Sequence, residues 1–183
     1  IKRPYNKQSR IFLSHILIYT EPNSLLGGER TRTQKTRKFL VGEQLRGAPY
    51  LHKFGVEALP TGYLVFSPGG KVGEVGEAEL VQPGQTEITH AYALTAQMFG
   101  FKILYLEAGS GASSQVDPNC IESANQVEGL CLIVGGGIRT GEQAAKAAQS
   151  GANWIVTGTL TEDASSMDEL RQRIRTIVDS IQS

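Results

Sequence analysis

Glu107 is the side chain in this sequence whose setting most demands a chemical explanation. It closes the apolar run 101–106 (FKILYL) and opens the glycine loop Ala108-Gly109-Ser110-Gly111. A carboxylate at the end of a buried strand is costly unless it is paired or used. It reads as a general base or acceptor at a loop mouth, or as a strand-end glutamate bonded to neighbouring N–H groups; the pattern leaves both open. Glycine is the second signal. Gly135-Gly136-Gly137 follows one apolar run (LCLIV) and Gly158-Thr159 follows the next (ANWIVT). Glycine lets backbone N–H groups approach an anion closely. Two such loops in succession, around Gly136, Gly137, Gly158 and Thr159, read as a phosphate site in preference to plain turns. Arg139 follows the triplet and reads as the partner of a neighbouring carboxylate, with an anion as the alternative. Cys120 and Cys131 form no metal spacing, and His15, His52 and His90 are scattered. Cys131 alternates within its run as a small core residue.

The elements that must carry these loops form a strand-then-helix rhythm. Apolar runs at 61–67 (TGYLVFS), 101–106, 130–134 and 152–157 read as buried strands. Between them, residues 87–99 predict a helix stopped by Gly100. Asp117-Pro118 predicts an N-cap with proline at the first helical position. Thr140-x-x-Gln143 predicts a capping box. Ser166-x-x-Glu169 predicts another, opening a helix whose Met167, Leu170, Ile174, Ile177, Val178 and Ile181 share one apolar face. A stretch after Phe39-Leu40-Val41-Gly42 reads as partly helical up to Gly55.

Strands alternating with helices imply a parallel sheet. The expectation is an α/β protein of TIM-barrel (β/α)8 type. With 183 residues the chain is short of a full barrel, which needs about 250. It reads as an incomplete barrel, the C-terminal half plus at most one extra strand. In such folds ligands bind at the carboxyl ends of the strands, where all the glycine loops fall.

Charge divides the chain. Residues 1–46 hold ten Lys/Arg against three Asp/Glu, and the remainder eight against fifteen, so the net is zero. Residues 1–38 read as an atypical basic segment, solvated or disordered and foreign to the barrel, with one strand within the apolar stretch 11–19. Arg30, Arg32, Lys35, Arg37 and Lys38 lack the interleaved aromatics of a nucleic-acid patch. No apolar run reaches a membrane span, and no secretory signal is visible, so a cytoplasmic protein is expected. The start at Ile1 reads as a fragment or processed product.

Tyr105-Leu106-Glu107-Ala108-Gly109-Ser110-Gly111-Ala112, Val134-Gly135-Gly136-Gly137-Ile138-Arg139 and Ile155-Val156-Thr157-Gly158-Thr159 together resemble the geranylgeranylglyceryl phosphate synthase family, in its group II form. Phe39-Leu40-Val41-Gly42-Glu43-Gln44, Gly62-Tyr63 and Pro68-Gly69-Gly70-Lys71-Val72-Gly73 fit in order and spacing. The resemblance covers about residues 39–183. It implies a prenyltransferase that joins sn-glycerol 1-phosphate to geranylgeranyl or a similar polyprenyl diphosphate, giving an ether-lipid precursor. Glu107 would be catalytic. Tyr63, Tyr105, Leu106, Glu107, Ala108, Gly109, Ser110, Gly111, Gly136, Gly137, Gly158 and Thr159 would bind substrate.

Mg2+ is implied as well, but its ligands are not found. The family's aspartate-bearing D-P-D-K-like and G-G-S segments are absent, and nothing in residues 1–38 resembles the strands that should precede Phe39. That segment reads as a misread frame or an unrelated fusion. The alternative function is a non-catalytic phosphate-binding half-barrel or assembly subunit. A phosphate-binding isomerase barrel would share the glycine loops but not the Glu107 context. Open sheet edges favour a homo-oligomer.

Overall fold

The computed structural model describes residues 14–17, 43–55, 59–76 and 78–182. Five strands, β1 (Ser14–Leu17), β2 (Thr61–Val65), β3 (Ile103–Glu107), β4 (Cys131–Gly135) and β5 (Trp154–Val156), form one sheet in the order β1-β2-β3-β4-β5. Every pairing is parallel. A doubly wound sheet reverses its strand order at a switch point. Here the order runs unbroken, which is the wall of a barrel. Four strands of the C-terminal half plus one extra are present, as expected. The extra strand lies within the stretch 11–19, and its parallel pairing with β2 places it in the sheet, which corrects the reading of that stretch as foreign to the barrel; the rest of residues 1–38, including the basic patch, lies outside the described residues.

The helices are α1 (Glu43–Phe54), α2 (Gly70–Val75), α3 (Thr86–Met98), α4 (Pro118–Asn125), α5 (Gly141–Gln149), α6 (Thr159–Glu162) and α7 (Met167–Gln182). The expected start signals are made. The Asp117 carboxylate accepts from Asn119 N–H at 2.9 Å. Thr140 and Gln143 complete a reciprocal capping box. The second box closes by half: Ser166 Oγ accepts from Glu169 N–H, but the Glu169 carboxylate turns to Ser165. None of the described helices is long and apolar enough to cross a membrane.

Side chains alternate along each strand. Leu104, Leu106, Leu132 and Val134 point toward the helices and are fully buried. They meet Ala93, Ala96, Ala124, Ala144 and Ala147, small residues that let helix backbones lie close to the sheet. Cys120 joins this core, whereas Cys131 is only half-buried at the start of β4, which corrects its reading as a core residue. The opposite sheet face carries Tyr63, Tyr105 and Glu107, and at β5 Trp154 and Val156. The apolar face of α7 forms as expected, with Ile177 buried and Met167, Ile174, Val178 and Ile181 exposed. The described elements cover only part of the stripe.

Candidate functional site

Register assembles the site. Parallel pairing sets Tyr63 beside Tyr105, and Glu107 beside Gly135. The two tyrosine rings stack with centroids 4.9 Å apart and planes 17° from parallel. Both hydroxyls hydrogen-bond to the Glu107 carboxylate. Burial, then the negative charge of Glu107, then these bonds push both phenols well above the ordinary tyrosine range. Glu107 Oε1 also accepts from Gly109 N–H at 2.6 Å. The carboxylate is thus 7% exposed yet satisfied from three directions. Neither reading of the sequence is discarded: Glu107 is bonded to a neighbouring N–H, and it also faces a pocket.

That pocket, about 90 Å³, lies at the carboxyl ends of β3, β4 and β5. Tyr105, Glu107, Ser110, Gly111, Gly136, Gly137, Gly158 and Thr159 all line it. The convergence expected of the two glycine loops follows from β4 and β5 being adjacent. The β3 loop arches over to meet them. A side chain built on Gly158 would come within 3.7 Å of Ser110 Oγ, and one on Gly111 within 3.9 Å of Thr159 Oγ1. Gly136 and Gly137 hold φ of 83° and 71°, a left-handed backbone that favours glycine.

Other expected residues do not line the pocket. The side chains of Leu106 and Ala108 are fully buried in the core. The Ala108 N–H is used on Gly135 O, and its carbonyl accepts from Gly69 N–H, each at 3.0 Å. These two residues hold the loop. Gly109 supports Glu107 from behind, packed on the backbone of Gly69 and Gly70. Tyr63 reaches the site through Tyr105 and Glu107.

Ile138, Arg139, Val156 and Thr157 also line the pocket, beyond the residues the sequence singles out for binding. Arg139 had a signal, its place just past the triplet, but the expected carboxylate partner is wrong. Its Nη2 donates to Gly111 O at 2.9 Å, tying the β4 loop to the β3 loop. Val156 and Thr157 carried no signal beyond following a strand.

A divalent ion needs several oxygen ligands in near-octahedral array. Among the described residues no group of three His, Cys, Asp or Glu side chains comes together. Glu107 is the acidic group in the pocket and is already bonded. The described residues therefore do not fit a Mg2+ centre.

Parallel strands in unbroken order, with a polar site at their carboxyl ends, define an incomplete barrel of the (β/α)8 class. The chain belongs to the PcrB family, whose model matches residues 33–180. It is similar to a geranylgeranylglyceryl phosphate synthase of Methanothermobacter marburgensis, with 46% identity over 145 residues, 79% of this chain and 58% of that one. The enzyme of the same name from Pyrococcus horikoshii is 45% identical over 139 residues, 76% of this chain and 55% of that one. Among solved structures, (S)-3-O-geranylgeranylglyceryl phosphate synthase of Thermoplasma acidophilum, in complex with sn-glycerol-1-phosphate, matches with a TM-score of 0.75 and 41% identity. That match covers 79% of this chain and 57% of the other. The chain therefore spans somewhat more than half the length of these relatives.

Proposed function

We propose that this chain is the glycerol-phosphate-binding part of a prenyltransferase that joins sn-glycerol 1-phosphate to geranylgeranyl or a similar polyprenyl diphosphate. The observation that carries the reading is Glu107, fixed by Gly109 and two tyrosines and facing the pocket lined by Gly136, Gly137, Gly158 and Thr159. In this reading the two glycine loops hold the phosphate and the Ser110–Gly111 turn closes over it. Glu107 accepts hydrogen bonds from the glycerol hydroxyls. When the attacking hydroxyl oxygen bonds to the allylic carbon, its proton passes to Glu107. The carbon–oxygen bond to diphosphate breaks, and its electron pair leaves with the diphosphate.

The stacked tyrosines keep the carboxylate aimed by donating to it. Because their phenols resist ionisation, they remain donors through neutral pH. Mg2+ would neutralise the departing diphosphate. Its ligands, and much of the wall around the isoprenoid tail, belong in this reading to parts of the barrel beyond the described residues. A cytoplasmic, homo-oligomeric enzyme of ether-lipid synthesis belongs to the same proposal.

The test is calorimetric titration of the 183-residue chain with sn-glycerol 1-phosphate, followed by incubation with geranylgeranyl diphosphate and Mg2+. Weak binding without turnover is expected. Absence of binding would remove the reading. A second reading is a non-catalytic phosphate-binding half-barrel or assembly subunit. An inorganic phosphate affinity equal to that for glycerol phosphate would favour it.

A further inference from the structure

Two charged side chains, Glu107 and Arg139, line the pocket at the carboxyl ends of β3, β4 and β5. A phosphate monoester is largely a dianion at neutral pH, its second pKa lying at about 6. Beside a carboxylate, in a concavity walled by protein, such an anion is repelled more strongly than in bulk water. The backbone N–H groups of the glycine loops offer dipoles but no net charge. A phosphate site here therefore needs a cation, and Arg139 is the cationic group among the lining residues.

Three observations fit Arg139 for that part. Its root is fixed: the Arg139 N–H donates to Gln143 Oε1 at 2.8 Å, and Gln143 belongs to the capping box that opens α5. Its tip is fixed as well, because Nη2 donates to Gly111 O at 2.9 Å. Gly111 holds a φ of 71°, and Ala112 N–H donating to Gly109 O at 3.1 Å closes the turn that presents this carbonyl. Last, its charge is uncommitted. A carbonyl is a neutral partner, and the ion pairs among the described residues join Arg171 to Asp168 and Arg173 to Glu169. A guanidinium has five N–H donors, of which the Gly111 bond takes one. A lysine at this place would carry the charge without the planar fork that can grip a carbonyl and a phosphate together.

We propose that Arg139 determines the anion specificity of this pocket: its guanidinium, braced by the Gly111 carbonyl, supplies the positive charge that admits a phosphate dianion beside Glu107. The tie between the β4 and β3 loops is then also what aims the charge. Without Arg139 the pocket keeps its N–H donors but carries the negative charge of Glu107 unopposed. The inference deepens the glycerol phosphate reading and rests on its phosphate site, not on prenyl transfer.

The test is calorimetric titration of the 183-residue chain, of Arg139→Gln and of Arg139→Lys, with inorganic phosphate and with sn-glycerol 1-phosphate. Each is run over a range of salt concentrations at about pH 8, where both ligands are dianions. Arg139 is exposed, so both variants should keep the circular dichroism of the parent chain. Arg139→Gln should weaken both ligands by at least about tenfold. Its affinity should lose the parent's fall with salt, or rise with salt as Glu107 is screened. Arg139→Lys should recover part of the affinity and the parent's salt response. Unaltered binding by Arg139→Gln would overturn the proposal. Weakened binding with the parent's salt response, or a lysine variant no better than the glutamine one, would also overturn it and leave Arg139 a loop tie alone. If Arg139→Gln fails to fold, Arg139→Lys decides, and loss of the salt response in that variant counts against the proposal. A parent chain that binds phosphate but not glycerol phosphate would remove the glycerol phosphate reading, and the phosphate titrations alone would then decide Arg139. A parent chain that binds neither anion would overturn both.

Discussion

Glu107 and Gly136 approach so closely that no side chain fits at position 136: a Cβ there would stand 2.5 Å from Glu107 Oε1 and 2.6 Å from Gly109 N. The backbone at 136 also has a φ of 83°. Gly136→Ala therefore combines strain of about 1–3 kcal/mol with displacement of the carboxylate. The expected outcome is a lower urea midpoint together with loss of glycerol phosphate binding. A variant that is destabilised yet binds normally would separate Glu107 from the ligand.

Replacing Glu107 by glutamine preserves size and removes the charge. In a full-length relative carrying the equivalent change, transfer should slow by about 10²-fold or more if this group takes the proton. Single-turnover kinetics check it, and near-normal rates would leave Glu107 a structural residue. Binding of glycerol phosphate should weaken less than the rate falls, because a glutamine side-chain oxygen still accepts hydrogen bonds.

Tyr63 and Tyr105 give an alkaline test of the same cluster. Both phenols are raised above the ordinary value of 10.0, first by burial and then by Glu107. A raised folded-state pKa means the native chain keeps a proton that the unfolded chain loses. The stabilisation is therefore whole below pH 10 and declines as pH climbs above it toward the folded values. Ultraviolet titration should show two tyrosines ionising late. In Glu107→Gln they should ionise earlier, but still above 10.0, since burial is the larger cause.

What the sequence disclosed was local, and what it withheld was relational. Asp117 was legible as an N-cap because aspartate before proline is a start signal on its own. Its other oxygen accepts from Gly84 N–H at 2.7 Å, 33 residues away, and nothing near Asp117 announces that bond. The loops of Gly136 and Gly158 were legible because each trails an apolar strand. The stacking of Tyr63 on Tyr105 was not, because it depends on register between strands that two helices, α2 and α3, separate. Helix α2 has no start signal in the sequence and GKVGEV is poor in helix formers; Gly73 N–H bonding to Gly69 O at 3.0 Å closes its first turn. The α7 stripe was legible as apolar, but periodicity says nothing about what covers a face.

The start of α7 provides an acid-side test away from the site. The Glu169 carboxylate accepts from the Ser165 hydroxyl, from Ser165 N–H and from Arg173, and these bonds, in that order, hold its pKa at about 2 against an ordinary 4.5. The native chain thus binds fewer protons than the unfolded chain between those values. By linkage, the contribution is complete above pH 4.5 and fades as pH falls toward 2. Because the carboxylate is on the surface, the consequence is local fraying of the first turn of α7, not global unfolding. Carbon-detected NMR titration should find the Glu169 carboxyl titrating near 2, and Ser165→Ala should raise it most, since the hydroxyl is the largest cause. Arg173→Gln should raise it less. Amide protection at 167–170, taken against the intrinsic exchange rate at each pH, should fall below pH 4.5 in the parent chain, and should already be lower at neutral pH in Ser165→Ala. A Glu169 that titrates at its ordinary value in the parent chain would show that the Ser165 cap does not form.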